Sequence, residues 1–116
     1  MLNDIYLKQG RLVLRLLPFV MKHDCFALKG GTAINFFLRN LPRLSIDIDL
    51  AYIQVEDRQT TIHNIDDSLK GISISIKKVM RNVRIVPKVL HESNLWRGLI
   101  IENEGIMVKV EPNPII

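Results

Sequence analysis

The chain has 116 residues, enough for one small domain and too few for two. A hydrophobic share of 47% with 24% charged residues excludes disordered and collagen-like chains. No apolar run approaches the roughly 18 residues of a membrane helix, and the first residues lack the basic, apolar and small-residue order of a signal peptide, so a cytoplasmic protein without membrane contact is expected. The single cysteine, Cys25, has no internal partner for a disulfide, in keeping with a reducing compartment. Sixteen basic against twelve acidic residues leave a formal charge of +4. Six of the basic residues, Lys77, Lys78, Arg81, Arg84, Lys88 and Arg97, fall in one stretch with Glu92 as its one acid. Such a stretch suits a polyanion, and equally a solvated surface with no ligand.

Asn3 and Asp4 are candidate caps for a first helix whose apolar positions Ile5, Leu12, Leu16 and Phe19 recur at helical spacing. Pro18 is expected to bend or end it. Residues 25–28 read as a short strand that stops at Gly30 and Gly31, and 32–38 read as a short helix. Leu41 and Pro42 mark a loop. From Ser45 to Ile53 the pattern alternates, with Ile46, Ile48 and Leu50 on one side and Ser45, Asp47 and Asp49 on the other. A long helix over about 57–80 follows, with Ile62, Ile65, Leu69, Ile72, Ile76 and Val79 on one face. Gly71 weakens it, and the run Ile72-Ser-Ile-Ser-Ile76 also reads as strand. Residues 83–90, 95–102 and 106–111 are predicted strands, the last two joined by Asn103-Glu104-Gly105. The order predicts an α+β fold, a mixed β-sheet with helices packed on one face.

The strongest constellation is Gly30-Gly31-Thr32 followed by Asp47-Ile48-Asp49. Alternation puts both carboxylates on one face of one strand, with α-carbons roughly 6.6 Å apart. Brought to 4 Å, two such charges repel by about 4 kcal/mol at an effective dielectric of 20, so a cation is required. Magnesium, which prefers carboxylate and phosphate oxygens and keeps part of its water shell, suits such a pair when delivered with a nucleotide. Glycines at a strand-to-helix turn let backbone N–H groups approach a phosphate. Either feature alone is also what a wet strand face or a tight turn shows. A third carboxylate, Glu111, lies on the last strand, where Val108 and Val110 face inward and Lys109 shares the outer face with Glu111. Should that strand lie beside the one carrying Asp47 and Asp49, three carboxylates meet, as two-metal phosphoryl transfer requires.

The segments Leu28-Lys-Gly-Gly-Thr-Ala33, Arg43-Leu-Ser-Ile-Asp-Ile-Asp-Leu50 and Val108-Lys-Val-Glu-Pro-Asn113 together resemble the AbiEii/AbiGii abortive-infection toxins, in the DNA polymerase beta-like nucleotidyltransferase superfamily. The resemblance implies a nucleotidyltransferase-like fold over 1–116, corresponding to the N-terminal catalytic half of similar proteins, which continue into a helical C-terminal part. It implies that Gly30, Gly31 and Thr32, with Ser45, hold the nucleotide. It further implies that Asp47, Asp49 and Glu111 bind Mg²⁺ or Mn²⁺, and that Lys109 completes the catalytic set. Gly31 stands where the superfamily often has serine, which leaves Thr32 to supply a hydroxyl. Such enzymes transfer a nucleotide from an NTP to an acceptor hydroxyl and release pyrophosphate. Relatives act on the 3′ end of tRNA, and many are encoded beside a cognate antitoxin.

Two rivals accompany this reading. One is an inactive remnant that serves as a binding or dimerisation module, a homodimer or an antitoxin complex being the candidate assemblies. The other is a nucleic-acid binder acting through Lys77–Arg97 alone. His23, His63 and His91 are dispersed with no zinc-like spacing, and no nucleophilic triad or Walker-type loop is present. Trp96 reads as a half-buried strand residue before it reads as a base-stacking one.

Overall fold

The computed structural model describes residues 2–29 and 45–114. The glycine turn, the predicted helix over 32–38 and the loop at Pro42 therefore lie outside the described residues, as do the side chains of Ile5 and Ser45. Helix α1 (Leu2–Met21) leads into strand β1 (Phe26–Leu28), and β2 (Ser45–Tyr52) precedes helix α2 (Arg58–Val79). Strands β3 (Arg84–Val89), β4 (Trp96–Asn103) and β5 (Ile106–Pro114) complete the chain.

The five strands form one sheet in the order β1-β2-β5-β4-β3. β2 and β5 run parallel at its centre, and the other neighbours are antiparallel. The sheet is thus mixed, as the alternation of elements predicted. Its inward positions, among them Ile48, Leu50, Leu99, Ile101, Val108 and Val110, are fully buried. They share one core with Leu12, Leu16 and Val20 of α1 and Ile65, Leu69, Ile72 and Ile76 of α2. Both helices therefore cover the same face, and the opposite face carries the alternate, mostly polar side chains.

Three local expectations change. α1 passes through Pro18 and continues to Met21. The ring removes the amide that would bond to the Leu14 carbonyl, but Leu14 is 69% exposed and Pro18 is exposed as well, so water can meet that carbonyl. Asp4 lies within the first turn of α1 and does not cap it. On α2 the buried stripe ends Ile72, Ile76, Met80, a step of four that turns Val79 out to 67% exposure. The alternating Ile-Ser run is helical because its isoleucines also satisfy the helical stripe set by Ile65 and Leu69, and Ser73 is buried with them. Asp57 caps this helix, its carboxylate accepting from the Thr60 amide at 2.7 Å and from Thr60 Oγ1 at 2.9 Å.

Candidate active site

Because Ile48 and Leu50 are drawn into the core, Asp47 and Asp49 stand on the outer face of β2, the first exposed and the second half-buried. On β5, buried Val108 and Val110 turn Lys109 and Glu111 to that same face, both half-buried. The parallel register pairs Asp47 with Lys109 and Asp49 with Glu111. The acids of two distant sequence segments are thereby side by side on adjacent central strands, which the sequence posed only as a condition.

Glu111 has a partner that the sequence reading did not single out. Lys88 of β3 reaches across β4 and places Nζ 2.7 Å from Glu111 Oε1. Its passage depends on Gly98, which pairs with Lys88 in the β3–β4 register. A Cβ at Gly98 would lie 3.5 Å from Lys88 Cδ, 3.8 Å from Glu111 Cγ and only 3.0 Å from the Val110 carbonyl oxygen. The hydrogen bond from Lys88 holds the Glu111 carboxyl below the usual carboxylate range against the opposing effect of burial, with further help from Lys109 and Arg97. Sequence alternation alone could place Lys88 on the outer face of β3, but the gap over Gly98 follows only from strand order and register.

Lys29, the residue before Gly30, donates its backbone N–H to the Asp49 carbonyl at 3.0 Å, so the chain enters the glycine segment beside Asp49. Gly30, Gly31 and Thr32 themselves lie outside the described residues. Ser45 opens β2 opposite Met107. Beyond the carboxyl ends of β2 and β5 is an open cleft of ≈ 830 Å³ whose lining includes Tyr52, Trp96, Arg97, Glu111 and Asn113. Clefts outside the carboxyl ends of parallel strands are where α/β sheets commonly take ligands. Trp96 is half-buried against the core, with Lys70 Nζ 5.8 Å from its ring centroid. Tyr52 is buried in the core; its hydroxyl bonds Glu56 and Gln54 and accepts from Asn64, and burial, reinforced by Glu56, raises its pKa.

The basic stretch does not form one continuous patch. Arg84 lies 3.9 Å from Glu102, Lys88 is held by Glu111, and Arg97 Nε donates to the Val89 carbonyl at 3.4 Å. His63 bonds within its own helix, Nδ1 to the Gln59 carbonyl oxygen at 2.8 Å.

Among the described residues no group of three or more His, Cys, Asp or Glu side chains is gathered closely enough to hold a metal ion. The donor chemistry on the outer face is nonetheless that of a hard cation: Asp47, Asp49 and Glu111 offer only carboxylate oxygens. Magnesium characteristically uses one or two carboxylates together with substrate phosphates, a demand the Asp47–Asp49 pair meets without a closed cage.

A family model described as nucleotidyl transferase AbiEii toxin, Type IV TA system, matches residues 11–113. Searches of curated proteins and of solved structures return no match. The matched region takes in both strands of the carboxylate pair and nearly the whole sheet. The chain belongs to the AbiEii nucleotidyl transferase toxin family of type IV toxin–antitoxin systems.

Proposed function

We propose that residues 1–116 form the catalytic domain of a divalent-metal-dependent nucleotidyltransferase toxin acting in the cytoplasm on an NTP and an acceptor hydroxyl. The 3′ end of a tRNA is the proposed acceptor, and a cognate antitoxin the proposed partner. The observation that carries this reading is the parallel register that sets Asp49 beside Glu111 and Asp47 beside Lys109.

Asp47, Asp49 and Glu111 are the residues that would hold Mg²⁺ or Mn²⁺, and Gly30, Gly31, Thr32 and Ser45 those that would hold the nucleotide. A bound divalent ion supplies Lewis-acid polarisation of the phosphate and neutralises its charge. The chain's own work is positioning and proton transfer. Amides of the glycine turn orient the triphosphate, and Lys109 offsets charge on the oxygens that develop it. A carboxylate of the outer face takes the proton of the acceptor hydroxyl as its oxygen bonds to the α-phosphorus. The bond from that phosphorus to the oxygen bridging the β-phosphate breaks, and pyrophosphate leaves.

Thermal unfolding in Mg²⁺ or Mn²⁺ with each of the four NTPs tests the reading. A ligand bound only to the folded chain, present at 100 times its dissociation constant, stabilises it by about 2.7 kcal/mol. Asp47→Asn combined with Asp49→Asn should abolish that shift. Absence of a shift for the unmutated chain with every NTP would overturn the proposal and leave the binding-module alternative.

A further inference from the structure

A single row crosses four strands on the outer face of the sheet. Asp49 of β2 pairs with Glu111 of β5, the side chain of Glu111 lies against Gly98 of β4, and Gly98 pairs with Lys88 of β3. Adjacent strands are roughly 4.8 Å apart, so Lys88 starts about two strand spacings from Glu111 and must lie flat along the sheet to reach it. Any residue but glycine at position 98 would obstruct that path, and the space left by its missing side chain is filled by the lysine stem. The ladder is also irregular here. Lys88 pairs with Gly98 but Val89 pairs with Trp96, which leaves Arg97 unmatched. Bulges of this kind re-aim side chains and are over-represented beside active sites.

The arm ends among acids. Glu111 is its direct partner, Asp49 is the next residue along the row, and Asp47 is paired with Lys109 one step away on the same face. Lys88 and Glu111 keep 25% and 33% of their side-chain surface exposed, so a ligand can reach the pair. A surface ion pair of this exposure stabilises the fold weakly, by about 0–1 kcal/mol, and gives little structural reason for clearing a central strand of its side chain. Lysine is a recurrent phosphate binder that acts as a mobile point charge on a flexible stem. Carboxylates engaged with a divalent ion hold a neighbouring ammonium less strongly, and phosphate oxygens are then the anions within its reach.

We propose that Lys88, carried over Gly98 to the carboxylate row, is a phosphate-binding residue of this site, docked on Glu111 until the triphosphate of an NTP displaces it. The inference rests on the nucleotidyltransferase reading. It adds a residue outside the three segments that carry the family resemblance, and it assigns Gly98 as the position that lets this residue in.

Its test is a double-mutant cycle on the 116-residue chain, read as the dissociation constant of whichever magnesium NTP binds the unmutated chain tightest. Lys88→Met should weaken binding by about tenfold or more, the loss expected for one charge-assisted hydrogen bond, and Lys88→Arg should restore most of it. The deciding comparison is made in the Glu111→Gln background, where no unpaired carboxylate is left to disturb the fold. There Lys88→Met should still weaken binding by about the same factor if the lysine meets phosphate. An unchanged constant on adding Lys88→Met to Glu111→Gln shows that the lysine acts only through Glu111, and overturns the proposal. Normal NTP binding by Lys88→Met alone also overturns it while leaving the nucleotidyltransferase reading intact. Failure of the unmutated chain to bind any magnesium NTP overturns both.

Discussion

Asp66 shows how one buried charge can hold two elements together. Its side chain on α2 is 5% exposed, accepts the Trp96 backbone N–H at 2.7 Å and lies 3.1 Å from Lys70 Nζ. It thereby anchors the first residue of β4 next to the bulge that carries Arg97. Asp66→Ala leaves the Trp96 amide without its acceptor and should destabilise the fold by about 1–3 kcal/mol, measured by urea unfolding at neutral pH. Asp66→Asn keeps an acceptor oxygen and loses only the pair with half-exposed Lys70, so its loss should be clearly smaller. Equal losses for the two variants would show that the ion pair, and not the amide bond, is what matters. The helical pattern marked Asp66 as one more polar residue on α2, because its partner comes from the other end of the β3–β4 hairpin. Glu111 was legible as a candidate acid from strand alternation, but its pairing with Lys88 was not.

At the scale of elements, the caps and glycines of α2 decide where it starts and what packs on it. The Asp57 carboxylate lies below its ordinary pKa because it accepts from the Thr60 amide and hydroxyl. A carboxylate depressed in the folded chain stabilises it at pH values above the unfolded value, and that contribution disappears as pH falls through the folded value. Asp57→Asn preserves a good cap without the charge. It should therefore melt close to the unmutated chain at neutral pH and lose less of its melting temperature on acidification. A steeper acid loss in the variant would contradict this. Gly71 sits mid-helix, where a Cβ would meet His23 Cε1 at 3.3 Å. His23 is half-buried in the turn after α1 and can yield by a few tenths of an ångström. The gain in helix propensity should then prevail, so Gly71→Ala should stabilise by up to about 1 kcal/mol. Gly71→Leu should destabilise, since its longer side chain must displace the imidazole.

Across the whole molecule, the site depends on the core beneath it. Ile48 lies between Asp47 and Asp49 in sequence, is fully buried and pairs with Val110 across the central parallel ladder. Ile48→Ala should cost about 2–5 kcal/mol, read as a lower urea midpoint with an unchanged slope. Leu14→Ser, at a site 69% exposed on the outer side of α1, should change stability by no more than about 0.5 kcal/mol. A comparable loss in both would mean that the outer face of α1 is covered in solution.

Strand alternation, helical periodicity and cap chemistry are local properties of the chain, and they sufficed for the boundaries of α2, the outward direction of Asp47 and Asp49, and the shared face of Lys109 and Glu111. The order of strands is not local. β2 and β5 become neighbours only after α2, β3 and β4 have been routed around them, because a parallel pair needs a crossover and both strands must bury one face against the helices. That routing set Asp49 against Glu111 and brought Lys88 over Gly98. Periodicity says which face a side chain occupies, whereas only the folded sheet determines which residue stands beside it.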